Sequence, residues 1–323
     1  MLALIPAGYF FGFLSINLLY LVAFMTGVLT VFFEISYQSY IPSLVEISQL
    51  VDANGKLEAT RAISSGAGPS VAGALIAIVS APLAVVGDTF GYLSSAISLS
   101  LIGKSEARLE KRARSTWRDM KEGLKVVLGD RRLWQIAGCT STANLFSGAI
   151  FAIAVPYLYH DFGFLSIQQG LLFSTAAVGS VLGALVSAKI AARIGVGPSV
   201  ILNAFLFGPP TVGLYLASGP YAAVPIAASL FVTGYAGVAY NVNQVSYRQA
   251  LVKRELLGRM NATMRFIVTG SVPIGALIGG VLGQAFGYRE AIGLSVIGVS
   301  LAFLWVLFSP IRGVKEMPKA DGS

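Results

Sequence analysis

Two acidic residues, Glu34 and Asp88, stand inside long apolar stretches of the chain. An unpaired charge is costly in the apolar core of a membrane, so acids at such positions are functional candidates. Glu34 could take up a proton or pair with a cation, or it could form an ion pair with Arg61 that serves packing or gating. Asp88 could bind a proton or substrate, or it could cap and pair near the surface. The sequence leaves both alternatives open.

Amide side chains are the second group with chemical potential. They can line a water-filled pathway, and they can equally hydrogen-bond one helix to another. Those of interest lie within or at the ends of apolar stretches: Gln38, Asn144, Asn203, Asn241, Asn243 and Gln244. Signatures of enzymes are missing, because the single histidine, His160, excludes a paired-histidine metalloprotease motif. We therefore expect no catalytic residue, no cofactor and no metal site.

The composition is that of a membrane protein. Hydrophobic residues make up 55% of the 323 residues and charged residues only 12%, against about 25% charged in a typical soluble domain. The net charge of +8 comes from basic residues in short gaps between apolar stretches rather than from a basic domain. The lipid bilayer is therefore the expected partner, and nucleic acid is not.

Apolar stretches recur along the whole chain. A helix needs about 20 apolar residues to cross a bilayer, and these stretches are too long and uniform for barrel strands. The first would rise only about 20 Å and is expected to be the end of a longer helix. We predict an all-α polytopic membrane protein with roughly ten segments, at residues 2–14, 18–38, 62–80, 83–102, 134–158, 164–188, 199–217, 221–243, 266–286 and 289–309.

Lysine and arginine occupy alternate gaps between these segments. Basic gaps contain Lys56 and Arg61, residues 104–132, Lys189 and Arg193, residues 248–265, and residues 312–319. The gaps between them carry no Lys or Arg except Arg289. Because basic loops remain in the cytoplasm, we expect both termini and the central loop there, in the inner or plasma membrane of the cell.

Parts of the chain repeat each other. The spacing R-x4-G-x2-P occurs at Arg61, Gly66 and Pro69 and again at Arg265, Gly270 and Pro273, with Asn54 and Asn261 shortly upstream. Internal repeats are typical of transporters. Both copies fall on the third-last and second-last segments of a half, so two equal halves would require that the first has lost two segments and part of a third.

Four stretches carry a resemblance to a known family. They are VFFEISYQSYIPSLVEISQLVDANGKLEATRAISSGAGPSVAG (31–73), VVGDTFGYLSSA (85–96), WRDMKEGLKVVLGDRRL (117–133) and LFSTAAVGSVLGALVSAKIAARIG (172–195). With them the chain resembles the major facilitator superfamily, in particular its bacterial drug-efflux branch of macrolide and enterobactin exporters. The resemblance implies a two-bundle fold in which Met1 falls near the start of the third helix. The family's Asp-Arg-Gly-Arg gating loop would then be missing, and its echo near Arg193 is degraded.

The resemblance also implies roles for some residues. Asn144 and Asn241 are expected to face the central cavity, because the family's seventh and tenth helices do. Gly68, Pro69 and Gly73 resemble the Gly-Pro motif in the fifth helix of antiporters. Arginines near the cytoplasmic helix ends are candidates for gating: Arg61, Arg193 and Arg265.

A row of glycines marks one helix face near the end of the chain. It consists of Gly275, Gly279 and Gly283, which recur every four residues before Gly287. Glycine lets helices approach closely in membranes. The row could form a sliding surface between bundles or a plain packing surface.

Residues and resemblance together predict a secondary active transporter. We expect an antiporter that exports amphipathic small molecules of the drug or siderophore class by alternating access, as a monomer, with protons as the coupling ion. The alternatives are a truncated, transport-inactive chain and a polytopic membrane enzyme. The expected organisation is a helix-bundle remnant of four segments (1–103), a linker with an interfacial helix (104–133), a six-helix bundle (134–310) and a cytoplasmic tail (311–323).

Overall fold

The computed structural model describes residues 1–79, 81–102 and 116–317, and within them every regular element is a helix. Much of the central loop and the last six residues, including Lys319, lie outside the described residues. The α-helices are α1 (Leu4–Phe10), α2 (Ile16–Leu44), α3 (Leu50–Val79), α4 (Ala81–Ser100), α5 (Thr116–Gly129), α6 (Arg131–Phe162), α7 (Ser166–Ile194), α8 (Val196–Phe207), α9 (Val212–Leu216), α10 (Ala223–Leu251), α11 (Arg254–Phe286), α12 (Tyr288–Leu301) and α13 (Leu304–Leu307).

Membrane-crossing helices dominate the fold, as the sequence predicts. Within the described residues, seven helical stretches are long and apolar enough to span a bilayer, at Ile16–Leu44, Arg131–Phe162, Ile167–Ile194, Val196–Leu216, Ala223–Leu251, Arg254–Phe286 and Tyr288–Leu307. The first predicted segment forms only the seven-residue α1, which rises about 10 Å and cannot cross. The count of ten segments is therefore approximate.

Several helices extend well beyond the apolar stretches that predict them. α3 begins at Leu50, twelve residues before the apolar stretch that starts at residue 62, and its first turns carry Asp52, Lys56 and Glu58. An α-helix satisfies its own backbone hydrogen bonds in any solvent, so it continues past the bilayer where the side chains turn polar. These polar extensions are the parts that form the site described below.

Gly208-Pro209-Pro210 interrupts one membrane crossing. α8 ends at Phe207, a single 3-10 turn follows at Pro209–Thr211, and α9 continues from Val212. Proline lacks the backbone N–H that an α-helix needs and its ring crowds the preceding turn. These three residues therefore divide the crossing into α8 and α9.

The glycine row packs against a neighbouring helix. A Cβ atom at Gly275 would collide with the backbone oxygen of Leu145 on α6, and one at Gly279 with that of Ala149. At Gly283 the nearest atoms, 3.3–3.4 Å from such a Cβ, belong to Tyr288 and Ile153. The contacts at Gly275 and Gly279 join α11 to α6, and Tyr288 at Gly283 belongs to α12.

Candidate functional site

The chain forms two helical halves that touch through polar side chains and through small buried apolar clusters, such as Ile41 and Leu50 with Ala250. We call α1–α4 the N-terminal half and α6–α13 the C-terminal half. The contact involves the last turns of α2, the first turns of α3, the last turns of α10 and the first turns of α11. We call its polar members the polar layer: Gln38, Ser39, Asn54, Glu58, Asn241, Gln244, Ser246, Gln249 and Asn261.

Asn54 on α3 makes the central contact to α10. Its Nδ2 atom lies 2.9 Å from the Oγ of Ser246 and 2.8 Å from the Oε1 of Gln249. Gln249 in turn donates from Nε2 to the backbone oxygen of Gln38 on α2, at 2.6 Å. Asn54, Ser246 and Gln249 are all buried, so this network tightly joins one end of the two halves.

A second contact repeats the first with the halves exchanged. Asn261 on α11 of the C-terminal half donates from Nδ2 to the Oγ of Ser39 on α2 of the N-terminal half, at 3.3 Å. Ser39 and Ser246 are 207 positions apart, and so are Asn54 and Asn261. Each half therefore presents an Asn to the Ser of the other. The repeat seen in the sequence appears here as a two-fold related pair of hydrogen bonds.

Glu34 lies next to the polar layer and is shared between two arginines. One carboxylate oxygen is 3.7 Å from the Nη2 of Arg61 on α3, and the other forms an ion pair with Arg265 on α11. The Glu34 side chain is 24% exposed, so the pair is partly shielded from solvent. The ion pair with Arg61 was one alternative of the sequence analysis, and the structure adds the partner across the interface.

Glu58 on α3 joins the polar layer through amides. Asn241 on α10 donates from Nδ2 to the Oε1 of Glu58 at 2.7 Å, and Gln244 donates from Nε2 to the Oδ1 of Asn241 at 2.9 Å. This chain borders a cavity of about 300 Å³ between the halves. Residues of both halves line it, including Glu34, Gln38, Glu58, Arg61 and Asn241.

A larger cavity of about 790 Å³ lies within the N-terminal half, between the first three residues of the chain, α2 and α4. Its wall is mostly apolar, with Glu34 and Asp88 as its acidic residues. Volumes of about 300–1,000 Å³ with few polar groups are typical of small-molecule sites. Because Glu34 also lines the smaller cavity, the same carboxylate borders both.

The two halves also meet where the backbone of α3 approaches that of α7 closely. A Cβ atom at Gly55 on α3 would lie 3.0 Å from the backbone oxygen of Ala184 on α7 and 3.7 Å from the Oγ of Ser187. The side chain of a larger residue would separate α3 from α7. Gly55 thus lets the polar layer close.

Other residues singled out in the sequence lie elsewhere. Asn144 donates from Nδ2 to the backbone oxygen of Val268 at 3.0 Å, which joins α6 to α11. Arg193 is exposed in the last turn of α7. Gly68 has open space at its Cβ position, and the side-chain surroundings of Pro69 and Gly73 lie outside the described part.

Sequence reasoning missed Glu58 and Gln249. Glu58 precedes the apolar stretch from residue 62, so it was not recognised as a membrane acid. The spacing of Asn54, Glu58 and Arg61 on α3 contained a usable signal, because positions i, i+4 and i+7 share one helix face. Gln249 lies in a polar helix end that carries no such pattern.

Metal ligands are not clustered in the described residues. There, no group of three or more His, Cys, Asp or Glu side chains is placed to hold an ion.

Known proteins resemble the chain in sequence and in fold. Residues 137–322 match the profile of the Major Facilitator Superfamily. The chain is 26% identical over 180 residues to enterobactin exporter EntS of Escherichia coli O6:K15:H31 (strain 536 / UPEC), covering 53% of this chain and 42% of that protein. The chain is also 26% identical over 175 residues to enterobactin exporter EntS of Salmonella typhi, covering 51% of this chain and 40% of that protein. The chain thus spans less than half the length of these curated relatives.

A solved structure shares the fold. The crystal structure of a bacterial homologue of the iron transporter ferroportin, in an outward-facing state, superimposes with a TM-score of 0.71 at 18% sequence identity. The match covers 85% of this chain and 67% of that one.

Proposed function

The chain belongs to the major facilitator superfamily of membrane transporters, and from this premise we propose that it is a secondary active exporter of amphipathic small molecules. In the proposed cycle the two halves rock against each other and expose a central site to one side of the membrane at a time. The relatives named as enterobactin exporters support export of the drug or siderophore class.

The observation that carries this proposal is the polar layer with the adjacent ion pair of Glu34 and Arg265. Hydrogen bonds and a partly exposed ion pair can be exchanged for contacts with water at a small net cost, of about 1 kcal/mol each. The buried apolar clusters that also join the halves are small, such as Val51 with Ala191 and Val242. The polar part of the interface is therefore suited to open and close.

The sidedness of the polar layer follows from charge. Lys56, Arg61 and Arg254 flank it, and basic gaps of this kind remain in the cytoplasm. We therefore place the polar layer at the cytoplasmic side of the inner or plasma membrane, with both termini on that side. In this placement the conformation is closed towards the cytoplasm.

Glu34 is the residue proposed to couple protons to this movement. It borders both cavities and forms the ion pair with Arg265 across the interface. Protonation would remove its charge and with it the attraction to Arg265, so proton uptake would favour separation of the halves at that end. Asp88 in the larger cavity and Glu58 in the smaller one are the further carboxylates that could take part in an antiport cycle.

Dye release from liposomes tests the proposal. The purified chain is reconstituted in vesicles loaded with a fluorescent amphipathic dye, and the external medium is made acidic. We expect dye release that depends on the proton gradient, and we expect Glu34→Gln to abolish that dependence. Glu316→Gln, an exposed carboxylate in the C-terminal segment, is the matched control and should behave as the native chain does.

Two other outcomes of this experiment would contradict the proposal. Release that is equally fast with and without a gradient would refute proton coupling. No release above that of protein-free vesicles would show that this chain alone does not transport, which is the transport-inactive alternative.

A further inference from the structure

The linker helix α5 (Thr116–Gly129) presents an apolar stripe that no described residue covers. Met120, Leu124 and Leu128 recur every four residues, and their side chains are 57%, 44% and 58% exposed. We call these three residues the α5 stripe. Residues four apart lie on one helix face, so the stripe is a continuous exposed apolar surface.

α5 is held against the C-terminal half by its neighbouring face. Val127 is fully buried, and a Cβ atom at Gly123 would collide with the backbone oxygen of Arg259 on α11. Glu122 forms an ion pair with Arg259, with Oε2 and Nη1 3.0 Å apart. The stripe is therefore fixed beside the bundle rather than free to turn towards it.

The position of this contact places α5 near the start of the bilayer. Phe266 on α11 is 82% exposed and begins the apolar part of that helix. Arg259 precedes it by seven residues, or about 10 Å along the axis. The headgroup region adds roughly 6 Å on each side of the apolar core, and a helix with its side chains has a radius of about 5 Å. The side of α5 that is nearer the apolar core therefore reaches the depth of the headgroups.

The basic residues of α5 indicate which class of lipid it contacts. Lys125 follows Leu124 and lies three residues before Leu128, Lys121 lies one turn earlier, and both lysines are exposed on the border of the stripe. An apolar face bordered by basic residues is typical of helices that lie in the membrane interface and attract anionic lipids. We propose that the α5 stripe and Lys125 bind the anionic phospholipids of the adjoining leaflet. This inference does not depend on transport activity.

Lipid-borne quenchers provide the test. Leu124→Cys and Leu128→Cys are labelled with a fluorophore in the full chain and reconstituted in phosphatidylcholine vesicles with or without phosphatidylglycerol. Native Cys139 is 2% exposed, and labelling of the native chain measures its background. Gly129→Cys is the matched control, because this residue of α5 is exposed, lies away from the stripe and has open space at its Cβ position.

We expect brominated lipids to quench both stripe positions and aqueous iodide to quench Gly129→Cys. Brominated phosphatidylglycerol should quench more than brominated phosphatidylcholine at equal content. Lys125→Gln should reduce this preference by roughly fivefold, since one basic residue near the surface contributes about 1 kcal/mol. Lys189→Gln, an exposed lysine on α7, should leave it unchanged.

Three results would overturn the proposal. Iodide quenching of the stripe positions would show that they face water. Quenching by neither agent would show that protein covers them. Equal quenching by both brominated lipids would exclude selection of the anionic headgroup.

Discussion

Glu34 on α2 pairs with Arg265 on α11, and this ion pair joins the two halves beside the polar layer. The other oxygen of the same carboxylate lies 3.7 Å from the Nη2 of Arg61, within the N-terminal half. A single acid therefore divides its charge between a cation of its own half and a cation of the opposite half. Variants of the two arginines should separate packing within a half from contact between halves.

The first prediction concerns this shared acid. Glu34→Gln keeps the size of the side chain and removes the attraction to Arg265. We expect the population closed at the polar layer to fall by about fivefold relative to the open one, which corresponds to about 1 kcal/mol for a partly exposed pair. Distances between spin labels at the exposed positions Lys56→Cys and Lys253→Cys measure the two populations.

Arg265→Gln should reproduce the effect of Glu34→Gln in the same experiment. Arg61→Gln is the control and should change the distances less, because its contact stays within one half. Identical distance distributions in the native chain and in Glu34→Gln would show that the ion pair does not hold the interface.

The second prediction concerns Asn54. Asn54→Ala removes the donor that faces Ser246 and Gln249 and leaves the buried Oε1 of Gln249 without its hydrogen bond. We expect a loss of about 1–3 kcal/mol of stability, the usual cost of an unsatisfied buried polar group. Thermal unfolding of the purified protein measures it.

A double-mutant cycle of Asn54→Ala with Ser246→Ala isolates the contact between the halves. We expect a coupling energy of at least about 0.5 kcal/mol, as for residues in one hydrogen-bond network. Strict additivity of the two substitutions would mean that the network does not act as a unit.

The third prediction concerns helix packing in the C-terminal half. Gly279→Ala places a methyl group against the backbone oxygen of Ala149, whereas a Cβ atom at the adjacent Gly280 meets nothing within 4 Å. We expect Gly279→Ala to cost about 1–3 kcal/mol through overpacking and Gly280→Ala to be neutral or slightly stabilising. Equal melting temperatures for the two variants would contradict the close approach of α6 and α11.

The fourth prediction concerns pH. Asp130 caps α6, and its Oδ1 accepts from the backbone N–H of Arg132 at 2.8 Å. Hydrogen bonds from the Arg132 side chain lower the pKa of Asp130 below its ordinary value. A carboxylate with a lowered folded-state pKa stabilises the protein above its unfolded pKa of about 3.9 and loses that contribution as the pH falls through the folded-state value.

Asp130→Asn keeps a capping side chain and removes the charge, while Asp130→Ala removes both. At pH 7 we expect Asp130→Ala to lower the free energy of unfolding by about 1 kcal/mol and Asp130→Asn to lower it by less. The difference between the native chain and Asp130→Asn should begin to shrink near pH 4 and disappear only below the lowered folded-state pKa of Asp130. A difference that is constant from pH 7 to pH 3 would exclude a role for the ionised carboxylate.

The class of fold could be predicted from the sequence with little ambiguity. The long apolar stretches predict membrane helices because a chain in lipid must satisfy its backbone hydrogen bonds within each segment. Local chemistry likewise predicts the break at Gly208-Pro209-Pro210. Helix ends were less predictable, because helices such as α3 continue beyond their apolar stretch into the contact between the halves.

The candidate site was only partly predictable. Glu34 is conspicuous because an acid in an apolar stretch is rare, and the repeat pointed to Asn54, Asn261, Arg61 and Arg265. Glu58 and Gln249 were missed, since a polar residue in a polar helix end carries no signal of its own. Asn144 is conspicuous in the sequence in the same way, but its amide joins α6 to α11 within the C-terminal half and lies outside the polar layer.

The sequence by itself determined that the chain forms membrane helices, where one of them breaks and which segments repeat, because these depend on interactions between near neighbours and with solvent. Only the tertiary structure decided that Glu34 faces Arg265 and that Asn54 and Asn261 each reach the opposite half. These contacts join residues about 200 positions apart. Their formation depends on how whole helices pack, and no local pattern of polarity specifies that.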